Sequence, residues 1–227
     1  MKRSTLLILI GIASMSASVA TAQAKKETKP AAQPATQPEM ALPPGMTEAD
    51  MMACAQAAQP GEMHAFLAES VGTWSGKTTM WMTPEAEPLH SECTTVITPM
   101  MDGRFVRCET TGDMPGMGPF NGFGLYGFDN VSENFQGTWI DNCGTGMMTG
   151  TGELSSDAAT LTWKFDYNCP ITRKSTVFRE VERRTGKDTM TLEMYSVFPH
   201  TGKEFKMMEI LYTRVSTETS ADAQSIR

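Results

Sequence analysis

Between Thr160 and Tyr167 the chain alternates without a fault, with Leu161, Trp163, Phe165 and Tyr167 on one side and Thr160, Thr162, Lys164 and Asp166 on the other. Successive side chains of an extended strand point to opposite faces, so a period of two marks a strand with one face buried. This strand is one beat of a longer rhythm. Turn-forming residues recur at Pro84, Asp102-Gly103, Gly116 to Pro119, Asp129-Asn130, Gly144, Ser155 to Asp157, Pro170, Gly186-Lys187-Asp188 and Thr201-Gly202-Lys203. They divide the stretch from Val71 to Arg214 into about ten strands, a spacing that predicts an all-β meander or closed antiparallel barrel. Closure removes the unpaired edges that would otherwise recruit other chains.

Upstream of Val71 the period changes to that of a helix. Thr47-Glu48-Ala49-Asp50 has an N-cap followed by acids in the first turn, which predicts a helix over 47–58 that stops before Pro60. A second short helix is expected from Gly61 to about Ser70, because Met63, Phe66 and Leu67 form one apolar stripe that can cover a barrel end. Residues 25–46, rich in Ala, Pro, Gln, Lys and Thr without apolar periodicity, read as a disordered linker. The folded domain is expected over 60–215, followed by a polar tail over 216–227.

The chain opens Met1-Lys2-Arg3, runs apolar from Leu6 to Ile12 and then turns small up to Ala24. A positive start, a short apolar run and an A-x-A-like end form an export signal over 1–24, cleaved near Ala24. The run falls short of the roughly 20 apolar residues a membrane span needs, and no later segment approaches that length. Without residues 1–24 the formal charge moves from -7 to -9, with 17 basic against 26 acidic residues. An acidic chain without basic clusters is not expected to bind nucleic acid, since phosphate contacts require grouped Lys and Arg. The expected location is periplasmic or secreted.

Five cysteines remain after export: Cys54, Cys93, Cys108, Cys143 and Cys169. In an oxidising compartment the default is pairing; with Cys54 as the odd one the other four allow three connectivities, among them Cys93–Cys108, on consecutive strands about a tight turn, with Cys143–Cys169 as the second bridge. Cys54 is then left to link a partner. No C-x-x-C spacing occurs, so a thiolate metal site is not expected.

Gly72-Thr73-Trp74 opens the first strand directly after a short helix, and Tyr212-Thr213-Arg214 closes the last. This pairing resembles the calycins, the lipocalins and their relatives, in which a Trp on the first strand packs beneath an Arg from the far end. An Arg over an indole gains about 0.5–2 kcal/mol of cation–π attraction. Further motifs follow in order: Pro60-Gly61-Glu62 with His64, Gly103-Arg104-Phe105, Gly122-x-Gly124, Tyr126-Gly127-x-Asp129 and Trp139-Ile140-Asp141-Asn142. Arg179-Glu180-Val181, Glu193-Met194-Tyr195 and Met208-Glu209-Ile210 complete the series. Over residues 60–214 the chain resembles the bacterial family labelled domain of unknown function 1579. The resemblance implies an exported bacterial protein with a lipocalin-like barrel of about ten antiparallel strands and short N-terminal helices. It implies no activity.

Candidate chemistry is sparse. His64, His90 and His200 are the three histidines; His64 is expected on the polar side of its helix and the other two in turns, all solvated. No G-x-S-x-G elbow accompanies them. A haem ligand would have to be His200, which precedes a hairpin turn, so no cofactor is expected. The methionines, including Met100-Met101, Met114, Met117, Met147-Met148 and Met207-Met208, could suggest copper, but without an M-x-x-M ladder they read as core or cavity lining. The six glycines from Gly112 to Gly127 precede strand pattern rather than a helix, so they read as loop and curvature, not as a phosphate cradle.

Charged residues inside strand motifs are more informative. Arg104, Asp141, Arg179 and Glu209 stand beside apolar residues, Asp141 on a face with Phe135 and Trp139, and Glu209 on a face with Phe205, Met207 and Leu211. A charge on a buried face needs a partner. Two readings follow: an internal salt-bridge network joining Glu209 to Arg104 or Arg179, or the polar fixtures of a ligand cavity that also includes Trp139. A shift of one residue in phase moves each of them outside. The sequence thus points to a non-catalytic protein holding a small apolar or amphipathic ligand. Two rival readings are an envelope interaction module tethered through Cys54, and an enzyme of unknown class built on Asp141, Arg104 and Glu209.

Overall fold

The computed structural model describes residues 42–217. The expected export signal, linker residues 25–41 and tail residues 218–227 lie outside the described residues. Two helices, α1 (Glu48–Ala57) and α2 (Glu62–Ala68), precede ten strands. These are β1 (Gly72–Met80), β2 (Leu89–Met100), β3 (Phe105–Met114), β4 (Gly118–Asp129), β5 (Asn134–Asp141), β6 (Met148–Leu154), β7 (Thr160–Asn168), β8 (Ser175–Gly186), β9 (Thr189–Val197) and β10 (Glu204–Ser216). Each strand pairs antiparallel with its sequence neighbour, and β10 pairs with β1 to close the barrel. Each turn region read from the sequence falls between two strands or at their margins.

The closing seam carries the expected Trp–Arg contact. Trp74 pairs across the ladder with Arg214, whose guanidinium lies 4.0 Å from the indole centroid. That guanidinium donates to the carbonyls of Val71 and, at 2.8 Å, Glu69, and pairs with Asp188 at 3.2 Å. The Trp74 indole donates to the Ser70 carbonyl at 2.8 Å. Gly72 is required here: its φ is +137°, and a Cβ would run into the Ser216 carbonyl and the Arg214 guanidinium.

α2 covers this end. Leu67 is buried in the core, Phe66 packs 5.8 Å from Phe135, and the Arg184 guanidinium stacks 3.6 Å above the Phe66 ring. His64 corrects the sequence reading, because it is buried rather than solvated. Its Nδ1 accepts the Gly61 N–H at 3.0 Å, which satisfies an otherwise orphaned donor at the helix start, and its ring meets Phe128 edge-on. His90 also differs, lying within β2 and contacting Thr79. α1 begins at Thr47, which forms a capping box with Asp50, and buries no residue.

The core is aromatic, with Trp163 and Phe135 fully buried and linked through Phe128, Phe165 and Tyr126. Burying each such ring stabilises the fold by roughly 1.5–3 kcal/mol. Glycines make room for these rings: a Cβ on Gly152 would meet Trp163, and one on Gly122 would meet Trp139.

Candidate functional site

Alternation along ten strands turns one set of side chains inward, and they do not fill the barrel. A cavity of about 360 Å³ remains, lined from Leu67 and Ser70 at α2 to Asp113, Met114 and Cys143 at the opposite strand ends. This volume lies within the range of about 300–1,000 Å³ typical of small-molecule pockets. Its walls are largely aromatic and aliphatic, and Met80, Met114, Met148, Met190, Met194, Met207 and Met208 all contribute. The sequence reading of methionine as cavity lining therefore describes these seven, whereas Met101, Met117 and Met147 are exposed.

One wall carries a run of hydroxyl and thiol groups. Thr95 and Thr110 share a hydrogen bond of 2.8 Å, and Thr95 contacts the Tyr212 hydroxyl at 3.2 Å. The Cys93 thiol lies 3.7 Å from the Thr78 hydroxyl and 4.0 Å from that of Tyr212. Burial pushes the Cys108 thiol up to about 12 and raises both Tyr126 and Tyr212 well above the ordinary tyrosine value. These groups stay protonated at neutral pH and serve as neutral donors and acceptors.

The facing part of the wall is acidic. On β8, Phe178, Glu180 and Glu182 all line the cavity, and Glu180 is only 6% exposed. Glu180 stands opposite Trp163 on β7 and Met194 on β9, while Glu182 stands opposite Leu161 and Leu192. Burial, reinforced by the neighbouring Glu182 carboxyl, pushes Glu180 well above the ordinary carboxylate range. Burial raises Glu182 as well, with the Arg184 charge opposing it. The pair therefore retains a proton where an exposed glutamate has lost its own. The buried Trp163 indole N–H has no hydrogen-bond partner; it is turned toward Glu182 without closing a bond.

The residues expected to line a cavity divide. Trp139 and Asp141 do line it, and the Trp139 indole donates to Asp141 at 3.0 Å. Arg104 instead holds the end of α1, donating to the Ala58 carbonyl at 3.1 Å. Arg179 lies outside, pairing with Glu204 at 2.7 and 3.0 Å and stacking 3.9 Å above Tyr195. Glu209 is also outside, bound to Lys206 at 2.6 Å, so the internal network of Glu209 with Arg104 or Arg179 does not form. The acids that do face inward, Glu180 and Glu182, are one and three residues beyond Arg179.

The expected disulfides do not form, and all five cysteines are free. The Asp102-Gly103 turn sets a register that pairs Cys93 with Gly112 and Cys108 with Ile97. Along a strand that offset is about 13 Å, beyond the roughly 7 Å limit between bridged Cα atoms. Cys143 is exposed beside Met114, and Cys169 is engaged within its own turn, where donors from Thr172 and Ile171 lower its thiol pKa. Cys54 is exposed on α1. Among the described residues no three His, Cys, Asp or Glu side chains are grouped to hold a metal, and no helix is long and apolar enough to cross a membrane.

No curated protein sequence matches the chain. Among solved structures, the S-type phycobiliprotein lyase CPES from Guillardia theta aligns over 68% of this chain and 93% of its own, at 12% identity and a TM-score of 0.49. Rv2717c from M. tuberculosis aligns over 69% of this chain and 99% of its own, at 14% identity and a TM-score of 0.51. At that identity the likeness to Rv2717c concerns the fold alone. The family model described as "Protein of unknown function (DUF1579)" matches residues 59–214, and the chain, a closed lipocalin-like barrel of ten strands, belongs to that family.

Proposed function

We propose that this protein is an exported binding protein that holds one small apolar or amphipathic molecule inside its barrel. The observation that carries the reading is the cavity of about 360 Å³, walled by aromatic and methionine side chains with a few polar groups aimed inward. Flexible methionines let such a wall adapt to its occupant. Holding suits the chemistry better than turnover does: the Cys108 thiol and the two cavity tyrosines stay protonated, and no histidine lines the space. Export rests on the segment over 1–24, and N-terminal sequencing of the mature protein would detect cleavage near Ala24.

Titration with N-phenyl-1-naphthylamine, an uncharged probe whose fluorescence rises in apolar surroundings, tests the binding reading. One saturable site per chain is expected, and Cys108→Phe, which fills the cavity from its wall, should abolish it in a protein that still melts cooperatively. A weak, unsaturable signal, or full binding by Cys108→Phe, would count against an interior site.

A further inference from the structure

The charges inside the barrel are all of one sign. Asp141, Glu180 and Glu182 line the cavity, Glu92 and Asp113 border it from exposed positions, and among the described residues no lysine, arginine or histidine lines it. Toward the opposite end, Asp141 is already served by the Trp139 indole and the Cys143 N–H. Deep in the barrel the position is different. Among the described residues the one basic group near Glu180 and Glu182 is Arg184, and it is already committed to Glu69, the Phe66 carbonyl and the Phe66 ring. Trp163, 1% exposed, adds an indole N–H without a partner. Two carboxyls set against each other, with their nearest cation spent on α2, face an indole N–H that closes no hydrogen bond, and the site has room for a further cation.

We infer that Glu180 and Glu182 receive the ammonium head of an amphipathic amine, whose apolar remainder lies along the aromatic and methionine-lined part of the cavity. This deepens the binding reading above and rests on it. The ammonium replaces the proton that the two carboxyls hold, and that proton leaves to solvent. Ionised Glu182 is then the stronger acceptor toward the Trp163 N–H that already faces it. The rings of Trp163 and Tyr126 add cation–π attraction to a head group taken out of water. A fatty acid meets the reverse situation, since its carboxylate would enter a space whose inward charges are all acidic.

The groups that face the pair set the pH dependence. Arg184 and, beyond it, Glu69 lie toward α2, Cys108 and Tyr126 share the cavity, and the facing residues of β7 and β9 are Trp163, Leu161, Met194 and Leu192. Cys108 and Tyr126 stay neutral, so of these groups the carboxyl pair is the one that gains charge as pH rises. Amine affinity rises with pH until the pair has lost its proton.

Decylamine, 1-decanol and decanoate share one tail and differ in head group. Competition of each against N-phenyl-1-naphthylamine on the purified protein should rank decylamine first and decanoate last. Glu180→Gln and Glu182→Gln, both of similar shape to the parent residue, should each weaken decylamine by about tenfold or more and leave decanol unchanged. Calorimetry of the unaltered protein in two buffers of different ionisation enthalpy should register a proton released on decylamine binding and none on decanol binding. Decanol or decanoate binding as tightly as decylamine, or no proton release, would overturn the inference while the interior site stands. Failure of every ligand and of the probe would overturn the interior site itself.

Discussion

Two neighbouring regions of the barrel handle polar groups in opposite ways. At the seam under α2, the Arg214 guanidinium has two carbonyls, a carboxylate and an indole face, and the Trp74 N–H has the Ser70 carbonyl. In the cavity, by contrast, Glu180 and Glu182 face apolar neighbours and the Trp163 N–H lacks a partner. A fold gains by completing its hydrogen bonds, because each buried polar group left unmet costs about 1–3 kcal/mol. Where one region is saturated and its neighbour is not, the saturated region maintains the fold and the unsaturated one is suited to a ligand.

The largest effect should come from the saturated region. Trp74→Ala removes a side chain only 2% exposed and leaves Arg214 without its platform, so a loss of about 3–5 kcal/mol is expected in urea unfolding. A loss below 1 kcal/mol would show that the seam does not hold the barrel shut.

The acidic site should respond with the opposite sign. Glu180 has its native pKa raised above the ordinary glutamate value of 4.5, so the native state keeps its proton after the unfolded chain has lost it. Its contribution is complete below that ordinary value and is lost as pH climbs through the raised native value. Glu180→Gln removes this dependence. It should be more stable than the parent by roughly 1–3 kcal/mol at pH 8, with the gap closing toward pH 5, as read by thermal melts across that range. A constant gap at all pH values would place Glu180 in contact with water.

Outside the barrel the effects should be slight. Arg179 and Glu204 are a third to a half exposed, so Arg179→Ala should cost less than about 1 kcal/mol and leave probe binding unchanged. A marked loss of probe binding would put Arg179 in the cavity wall after all.

These contrasts explain what could be read from the sequence. Turn chemistry is local, so Asp102-Gly103 and Thr201-Gly202-Lys203 announced their hairpins, and Thr47 announced α1. The Trp74–Arg214 seam was legible because resemblance to a known barrel family linked residues that spacing alone cannot connect. β7 was legible because only one of its faces is apolar. β8 was not, since Arg179, Glu180, Glu182 and Arg183 put charge on both faces and a period of two cannot choose between them. Phasing from Phe178 would have turned Glu180 and Glu182 inward. In β10 a bulge between Lys206 and Met208 resets the alternation, which is why Glu209 emerges outside while Met207 and Met208 both reach the cavity. His64 was misplaced because a polar residue in a short helix can be buried when its ring nitrogen caps the helix start.

The most direct test locates an occupant. Crystals grown with 12-bromododecylamine would reveal the tail by the anomalous signal of its bromine. The account predicts one bromine site inside the barrel, with the amine nitrogen within hydrogen-bond distance of Glu180 or Glu182. Bromine found only on the outer surface, with side chains closed over the interior, would contradict it.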